Sequence, residues 1–271
     1  MEDEQRKEFI RQVFNSVCEG YGQGSLRFFE YAAQHLPDLL ILRGDENVLD
    51  MAAGTGLAST ALAGQVPDGR VTGIDLSEGM LAKAQHRAEE LGLENIVFRR
   101  MDMTRMDLPE EHFDLVNASF GVFFVEDMQS LVQHAAARLK PGGRFVTTHF
   151  AEGSMSPMQD LIMQRLECYG VEVPQASWNR LQNEEQNRLL YESAGLGRIT
   201  HTRNKVGYYF KDAEGWWDVV WWAGYRGFVN QVAPEQAARF RQEHLDEVNA
   251  LADEQGVYFN VEVIHTIGEK A

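Results

Sequence analysis

Three aspartates stand where each would close a strand: Asp50 in NVLDMAAGTG, Asp75 in VTGIDLSEGML and Asp102 in FRRMDM. In the first stretch the apolar Val48 and Leu49 run into Asp50, and the small residues Ala52, Gly54, Thr55 and Gly56 follow before a helical pattern begins at Leu57. This reads as a strand, a tight turn and a helix start. Such a turn brings backbone N–H groups and a helix N-terminus close to a ligand, because glycine adds no Cβ to hold it away. The carboxylate at the strand tip would repel a pyrophosphate and suit an ammonium or sulfonium, so the expected ligand is cationic and carries no phosphate. Asp75 is placed to accept both hydroxyls of a ribose, with a helix-capping aspartate as the plainer alternative. Asp102 is placed to accept the exocyclic amine of an adenine with Met103 packed on the ring, against an even alternative of a surface loop carboxylate.

Strand-like and helix-like stretches alternate around these residues in the manner of parallel βαβ units. Strands are predicted at 47–51, 71–75, 96–100, 113–118 and 144–150, and helices at 57–63, 77–91 and about 128–139, with Ser77 as an N-cap and a turn at the KPGG of 140–143. Before them stand an amphipathic helix carrying Phe9, Ile10, Val13, Phe14 and Val17, a glycine-broken loop at 20–25, and a helix from Leu26 to His35 ended by Pro37. After Ala151 the alternation is interrupted twice. A segment at 153–183 with Met155, Met158, Met163 and Trp178 reads as an inserted cap, and a second at 211–256 holds an aromatic helix around 216–228 and a polar helix. Between them come a helix at 184–194 and a strand at 199–210, and a final strand at 257–267 completes an antiparallel edge. The expected fold is α/β: a Rossmann-like, doubly wound, seven-stranded sheet with an antiparallel final strand. It forms one domain over 1–271, capped by helices in 1–45 and by both insertions.

The 41 acidic against 25 basic residues give a net charge of −16, which argues against nucleic acid and anionic membrane surfaces as partners. No apolar signal segment or membrane-length run is seen, so a cytoplasmic protein is expected. Cys18 and Cys168 are too few for a disulfide framework and lack metal-ligand spacing.

The ordered runs VLDMAAGTG, VTGIDLSEGML, MDM, FDLVNASFGVFFVED and LKPGGRF resemble the class I S-adenosylmethionine-dependent methyltransferases, most closely the ubiquinone-biosynthesis-like small-molecule branch. The resemblance covers roughly residues 14–150. It implies that Asp50 and the turn of Gly54, Thr55 and Gly56 hold the methionine part, that Asp75 binds the ribose, and that Asp102 and Met103 hold the adenine. It places Asn117 and Ser119 near the sulfonium, and Leu76 and Met80 in the same cofactor site. Ala52 departs from the family, which often has glycine there. Where nitrogen methyltransferases of nucleobases and amides carry an NPPY-like motif, this chain reads NASF, which argues against DNA, RNA and protein-amide substrates. No carboxylate and asparagine set matches a metal-dependent catechol enzyme, so no metal is expected.

The expected activity is methyl transfer from S-adenosylmethionine to the oxygen, nitrogen or carbon of a small aromatic or heterocyclic acceptor, releasing S-adenosylhomocysteine. A base is needed only for a hydroxyl or carbon acid, and His149 at the end of the fifth strand is the first candidate, ahead of His201 and His244. Tyr21, in the glycine-broken loop, is expected to close over the cofactor. Phe120, Trp178, Trp217, Trp221 and Tyr225 are expected to line the acceptor site. On one continuous helix Trp217, Trp221 and Tyr225 share a face, which equally suits core packing or a homodimer interface. An NAD-dependent oxidoreductase and a non-catalytic cofactor-binding regulator remain as alternatives at this point.

Overall fold

The structure is a computed structural model and describes residues 3–173 and 177–271. Helix α1 (Asp3–Val17), a 3-10 turn (Gly24–Leu26), α2 (Phe28–Gln34) and α3 (Leu36–Leu40) precede the first strand. Pro37 does not end the predicted helix. It sits in the first turn of α3, where the missing N–H has no partner to lose.

The alternation then runs β1 (Asn47–Met51), α4 (Leu57–Ala63), β2 (Arg70–Asp75), α5 (Glu78–Glu90), β3 (Ile96–Arg100), β4 (Phe113–Ser119), α6 (Met128–Arg138) and β5 (Leu139–Phe150). Ser77 caps α5 as expected, its hydroxyl accepting from the Met80 amide at 3.1 Å. The KPGG stretch is not a free turn: β5 begins at Leu139 and carries it along β4 with a register shift between Phe113 and Leu115. The central strands β1 and β4 are buried along nearly their whole length, as expected where helices cover both faces of a parallel sheet.

Beyond β5 lie α7 (Met158–Cys168), a 3-10 turn (Ser177–Asn179), α8 (Glu184–Ser193), β6 (Leu196–Lys205), β7 (Tyr208–Phe210), α9 (Ala213–Trp222), α10 (Arg226–Val229), α11 (Ala237–Asn249), β8 (Val257–Phe259) and β9 (Glu262–Lys270). The sheet order is β3-β2-β1-β4-β5-β9-β6, and β9 is antiparallel to both neighbours. The antiparallel strand is therefore inside the sheet and β6 is its edge. The single strands predicted at 199–210 and 257–267 each break in two, and β7 and β8 form a separate ribbon. At Gly207 an added Cβ would lie 2.4 Å from the Phe259 carbonyl, so only glycine lets the two backbones approach there.

The aromatic helix is also two pieces. Ala223 is extended (φ −125°, ψ −167°), so α9 stops at Trp222 and Tyr225 leaves its register. The strand order reverses between β1 and β4, which opens a crevice at their carboxyl ends.

Candidate functional site

Asp50 is buried at the tip of β1. Its carboxylate accepts from Asn117 Nδ2 at 2.6 Å and from the Ser59 hydroxyl. Burial pushes its pKa up to about 6, against the pull of those two hydrogen bonds. The following turn passes through left-handed conformations at Ala52 (φ 57°), Gly54 (φ 55°) and Gly56 (φ 81°). For alanine that costs about 1–2 kcal/mol. The space for its methyl comes from Gly121, where a Cβ would lie 2.6 Å from that of Ala52. Around Gly54 nothing lies within 4 Å of a built Cβ, so the turn is bare on its cavity side.

Asp75 closes β2 and pins the same turn from below. Its carboxylate accepts from the Gly54 amide at 2.9 Å and from the Ser77 amide at 2.8 Å. Burial raises its pKa above the usual carboxylate value, and those amides oppose the rise. Asp102, after β3, accepts from the Thr104 amide and hydroxyl, both at 2.8 Å, and pairs with Lys7 Nζ at 2.9 Å. Burial pushes this carboxyl up, but the Thr104 bonds and the Lys7 ammonium outweigh it and leave the pKa below the ordinary value.

These residues surround one cavity with an open volume of about 1110 Å³. Tyr21, Asp50, Ala52, Gly54, Thr55, Asp75, Leu76, Met80, Asp102, Met103, Ser119 and Phe120 all line it. Asn117 and Gly56 are behind the wall: Asn117 holds Asp50, and Gly56 turns the chain into α4. A Cβ on Gly56 would come 2.9 Å from Ala84 Cβ at positive φ. Gly56→Ala is therefore expected to destabilise the fold by about 1–3 kcal/mol, read as a lowered denaturant midpoint.

Helix α1, within the segment expected to cap the sheet, forms a wall whose residues were not among the expected site residues. Arg6, Lys7, Ile10 and Phe14 face the cavity, and Asn15 Oδ1 accepts from Ser77 Oγ at 2.6 Å and the Gly79 amide at 2.9 Å. The apolar spacing of Ile10 and Phe14 was the available signal. The spacing did not name which residues would face the cavity.

A second, aromatic chamber lies beside the cavity, and Phe14, Tyr21, Phe29, Phe120 and Phe124 line both. Trp178 and Tyr225 form its far wall, their rings 4.9 Å apart. Trp178 Nε1 and the Tyr225 hydroxyl both donate to Gln159 Oε1 at 2.8 Å, which fixes the two rings. Trp217 and Trp221 are not brought to this chamber. They border a separate hollow with Phe240 and Arg241 on the other side of α9, because the helix ends before Tyr225 and its face does not continue.

His149 does not reach the cleft either. Its neighbours Thr148 and Phe150 point to the cavity side of β5, so period-two alternation turns its imidazole the other way. It is 0% exposed, both ring nitrogens lack partners, and burial lowers its pKa to about 3. His201 bonds Thr266 Oγ1 at 3.0 Å, and His244 Nε2 accepts from Trp216 Nε1 at 2.8 Å. Among the described residues no group of three or more His, Cys, Asp or Glu is set to hold a metal ion.

Residues 48–143 match the family described as a methyltransferase domain. The chain is 33% identical over 149 residues to the aklanonic acid methyltransferase DauC of Streptomyces sp. (strain C5), covering 55% of this chain and 68% of that one. It is 27% identical over 231 residues to the ubiquinone/menaquinone biosynthesis C-methyltransferase UbiE of Pseudomonas fluorescens (strain Pf0-1), covering 76% and 88%. Its fold is similar to that of Haemonchus contortus phosphoethanolamine N-methyltransferase 2, solved with phosphomonomethylethanolamine and S-adenosylhomocysteine. The TM-score is 0.59 at 16% identity, over 98% of this chain and 60% of that one.

Proposed function

The chain belongs to the class I S-adenosylmethionine-dependent methyltransferases, and from that premise we propose that it methylates a flat, largely apolar, hydroxylated small molecule seated in the aromatic chamber. The observation that carries this reading is the chamber itself. Five aromatic residues are common to it and to the cofactor cavity, so an acceptor held there lies against the methyl donor with water excluded. The relatives' names support a small-molecule acceptor, being aklanonic acid in one and a C-methylation step of ubiquinone/menaquinone biosynthesis in the other.

The cavity fits S-adenosylmethionine. Thr55 Oγ1 is buried without a partner on its wall, the face of Gly54 is bare, and the two carboxylates of Asp50 and Asp75 suit a cationic end and a pair of hydroxyls. In the proposed assignment Asp50 and the turn at 54–55 hold the methionine end. Asp75 accepts from the ribose, Met103, Leu76 and Met80 pack the adenine, and Asp102 anchors Lys7 of α1 and keeps one lone pair for the adenine amine. When bound, the sulfonium supplies an electrophilic methyl carbon with a neutral thioether as leaving group. Tyr21, stacked on Phe29 at 4.7 Å, lies over this junction. Trp178 and Tyr225 orient the acceptor.

The proposed setting is the cytoplasm, where the free thiols of Cys18 and Cys168 stay reduced. No described helix is long and apolar enough to cross a membrane. The NAD-dependent alternative loses its ground, since a pyrophosphate would meet Asp50. Isothermal titration is the test. Binding of S-adenosylmethionine and S-adenosylhomocysteine with no heat from NAD is expected, and tight NAD binding alone would sink the assignment.

A further inference from the structure

A chain of hydroxyls leaves the cavity wall at Ser119 and ends at an interior imidazole, crossing from β4 through β5 to β9. Ser119 Oγ lies 3.2 Å from Thr148 Oγ1, and Thr148 Oγ1 lies 3.0 Å from His265 Nδ1. Thr148 and His265 are paired across β5 and β9, each 1% exposed. Ser119, by contrast, lines the cavity beside Phe120, which borders the acceptor chamber as well. The chain can orient either way. In one setting Ser119 donates along β4 to Asn117 Oδ1 at 3.2 Å. In the other, Ser119 donates to Thr148, Thr148 donates to His265, and a neutral Nδ1 accepts.

Stability alone gives no reason for this chain. His265 Nε2 is buried with no partner, and an unmet buried donor or acceptor costs about 1–3 kcal/mol. The preceding Val263 and Ile264 meet the needs of the strand with no such cost. The acceptor chamber has the opposite lack. Of the five residues it shares with the cavity only Tyr21 is polar, and burial holds that phenol above its usual range, so it offers no base.

We infer that Ser119, Thr148 and His265 form a relay that removes the proton of a hydroxylated acceptor during methyl transfer. The inference rests on the acceptor class proposed above. As the acceptor oxygen bonds to the methyl carbon, the carbon–sulfur bond breaks and its electron pair stays on sulfur. The acceptor's O–H proton goes to Ser119 Oγ, the Ser119 proton goes to Thr148 Oγ1, and the Thr148 proton goes to His265 Nδ1, leaving an imidazolium. After the products depart, the proton returns along the same atoms to water in the open cavity. Burial and the facing His35 ring, 6.3 Å away, hold the His265 pKa down at about 4, so the neutral ring is restored between turnovers. Of the three, only Ser119 meets the acceptor; Thr148 and His265 are positioning residues that act through it.

Two acceptors isolate this step: 1-naphthol, which keeps its proton at neutral pH, and 2-hydroxy-1,4-naphthoquinone, which arrives ionised. The quantity read is the ratio of their kcat values with the full chain. Thr148→Val is expected to lower that ratio about 100-fold, His265→Gln to do the same, and Thr148→Ser, which keeps the hydroxyl, to hold it within about threefold of wild type. In the S-adenosylhomocysteine complex the nitrogen-15 resonance of His265 Nδ1 is expected to move in Thr148→Val and not in Thr148→Ser. An unchanged ratio in the valine and glutamine variants, or an equal loss on both acceptors, overturns the relay and leaves the acceptor class standing. Turnover of neither acceptor by a wild-type chain that binds S-adenosylmethionine overturns the acceptor class and the relay together.

Discussion

Asp75→Ala is expected to weaken S-adenosylmethionine binding by at least about 100-fold. In the proposed assignment this carboxylate accepts two charge-assisted hydrogen bonds from the ribose hydroxyls, each worth about 1.5–3 kcal/mol, and every 1.4 kcal/mol is tenfold in affinity. The loss has a second source inside the protein. Without Asp75 the amides of Gly54 and Ser77 lose their acceptor, and the turn that faces the cofactor is no longer held to β2. Asp75→Asn keeps one acceptor oxygen and the side-chain shape, so it is expected to lose about tenfold by the same scale. Titration calorimetry reads both values, and thermal unfolding of the cofactor-free chains separates weak binding from a collapsed turn. Wild-type affinity in Asp75→Ala would remove the ribose assignment.

The second large effect is on pH. Asp50 has its pKa raised to about 6 from 3.8 in the folded chain without ligand. Its contribution to stability is therefore fully present below about 3.8 and is lost as pH rises through about 6, by about 3 kcal/mol at 1.36 kcal/mol per unit. A cationic ligand end reverses the preference, because it favours the ionised carboxylate. Binding of S-adenosylmethionine should then release a proton below pH about 6. Affinity should rise up to about tenfold per pH unit between about 4 and 6, with a plateau above. Calorimetry in two buffers of different ionisation enthalpy counts the proton directly. Asp50→Asn is expected to flatten this pH dependence and to lower affinity at neutral pH. Asp75, whose pKa is also raised, remains in that variant, so a persisting slope would belong to it. A wild-type affinity independent of pH over this window would show that the cationic end lies away from Asp50.

The parts of the site legible in the sequence were those that one strand tip and one turn determine. A carboxylate after two apolar residues and before a glycine turn has few places to go, so Asp50 and Asp75 fell where the pattern put them. Ser77 capped its helix for the same local reason. Sites that depend on continuity were not legible. Trp217, Trp221 and Tyr225 share a face only while one helix runs through them, and the extended backbone at Ala223 ends it. Gly224 was the visible warning. His149 sits at the correct end of β5, yet strand alternation gives each side chain one of two faces, and the sequence does not name which face holds the ligand. Lys7 and Asp102 are 95 residues apart in the chain, and only the packed position of α1 brings them within 2.9 Å.

The place of β9 between β5 and β6 also governs the order of assembly. A chain made from its N-terminus completes β1 to β5 and both caps while the outer rim of β5 still lacks its partner strand. The seam closes only when residues 262–270 arrive. Until then β5 presents an open row of amides and carbonyls, a ready template for pairing with another nascent chain. The late strand that seals that row also brings His265 to Thr148. A truncated product lacking β9 would thus be both adhesive and chemically incomplete, and a binding-competent cofactor turn would form before the machinery for handling a proton exists.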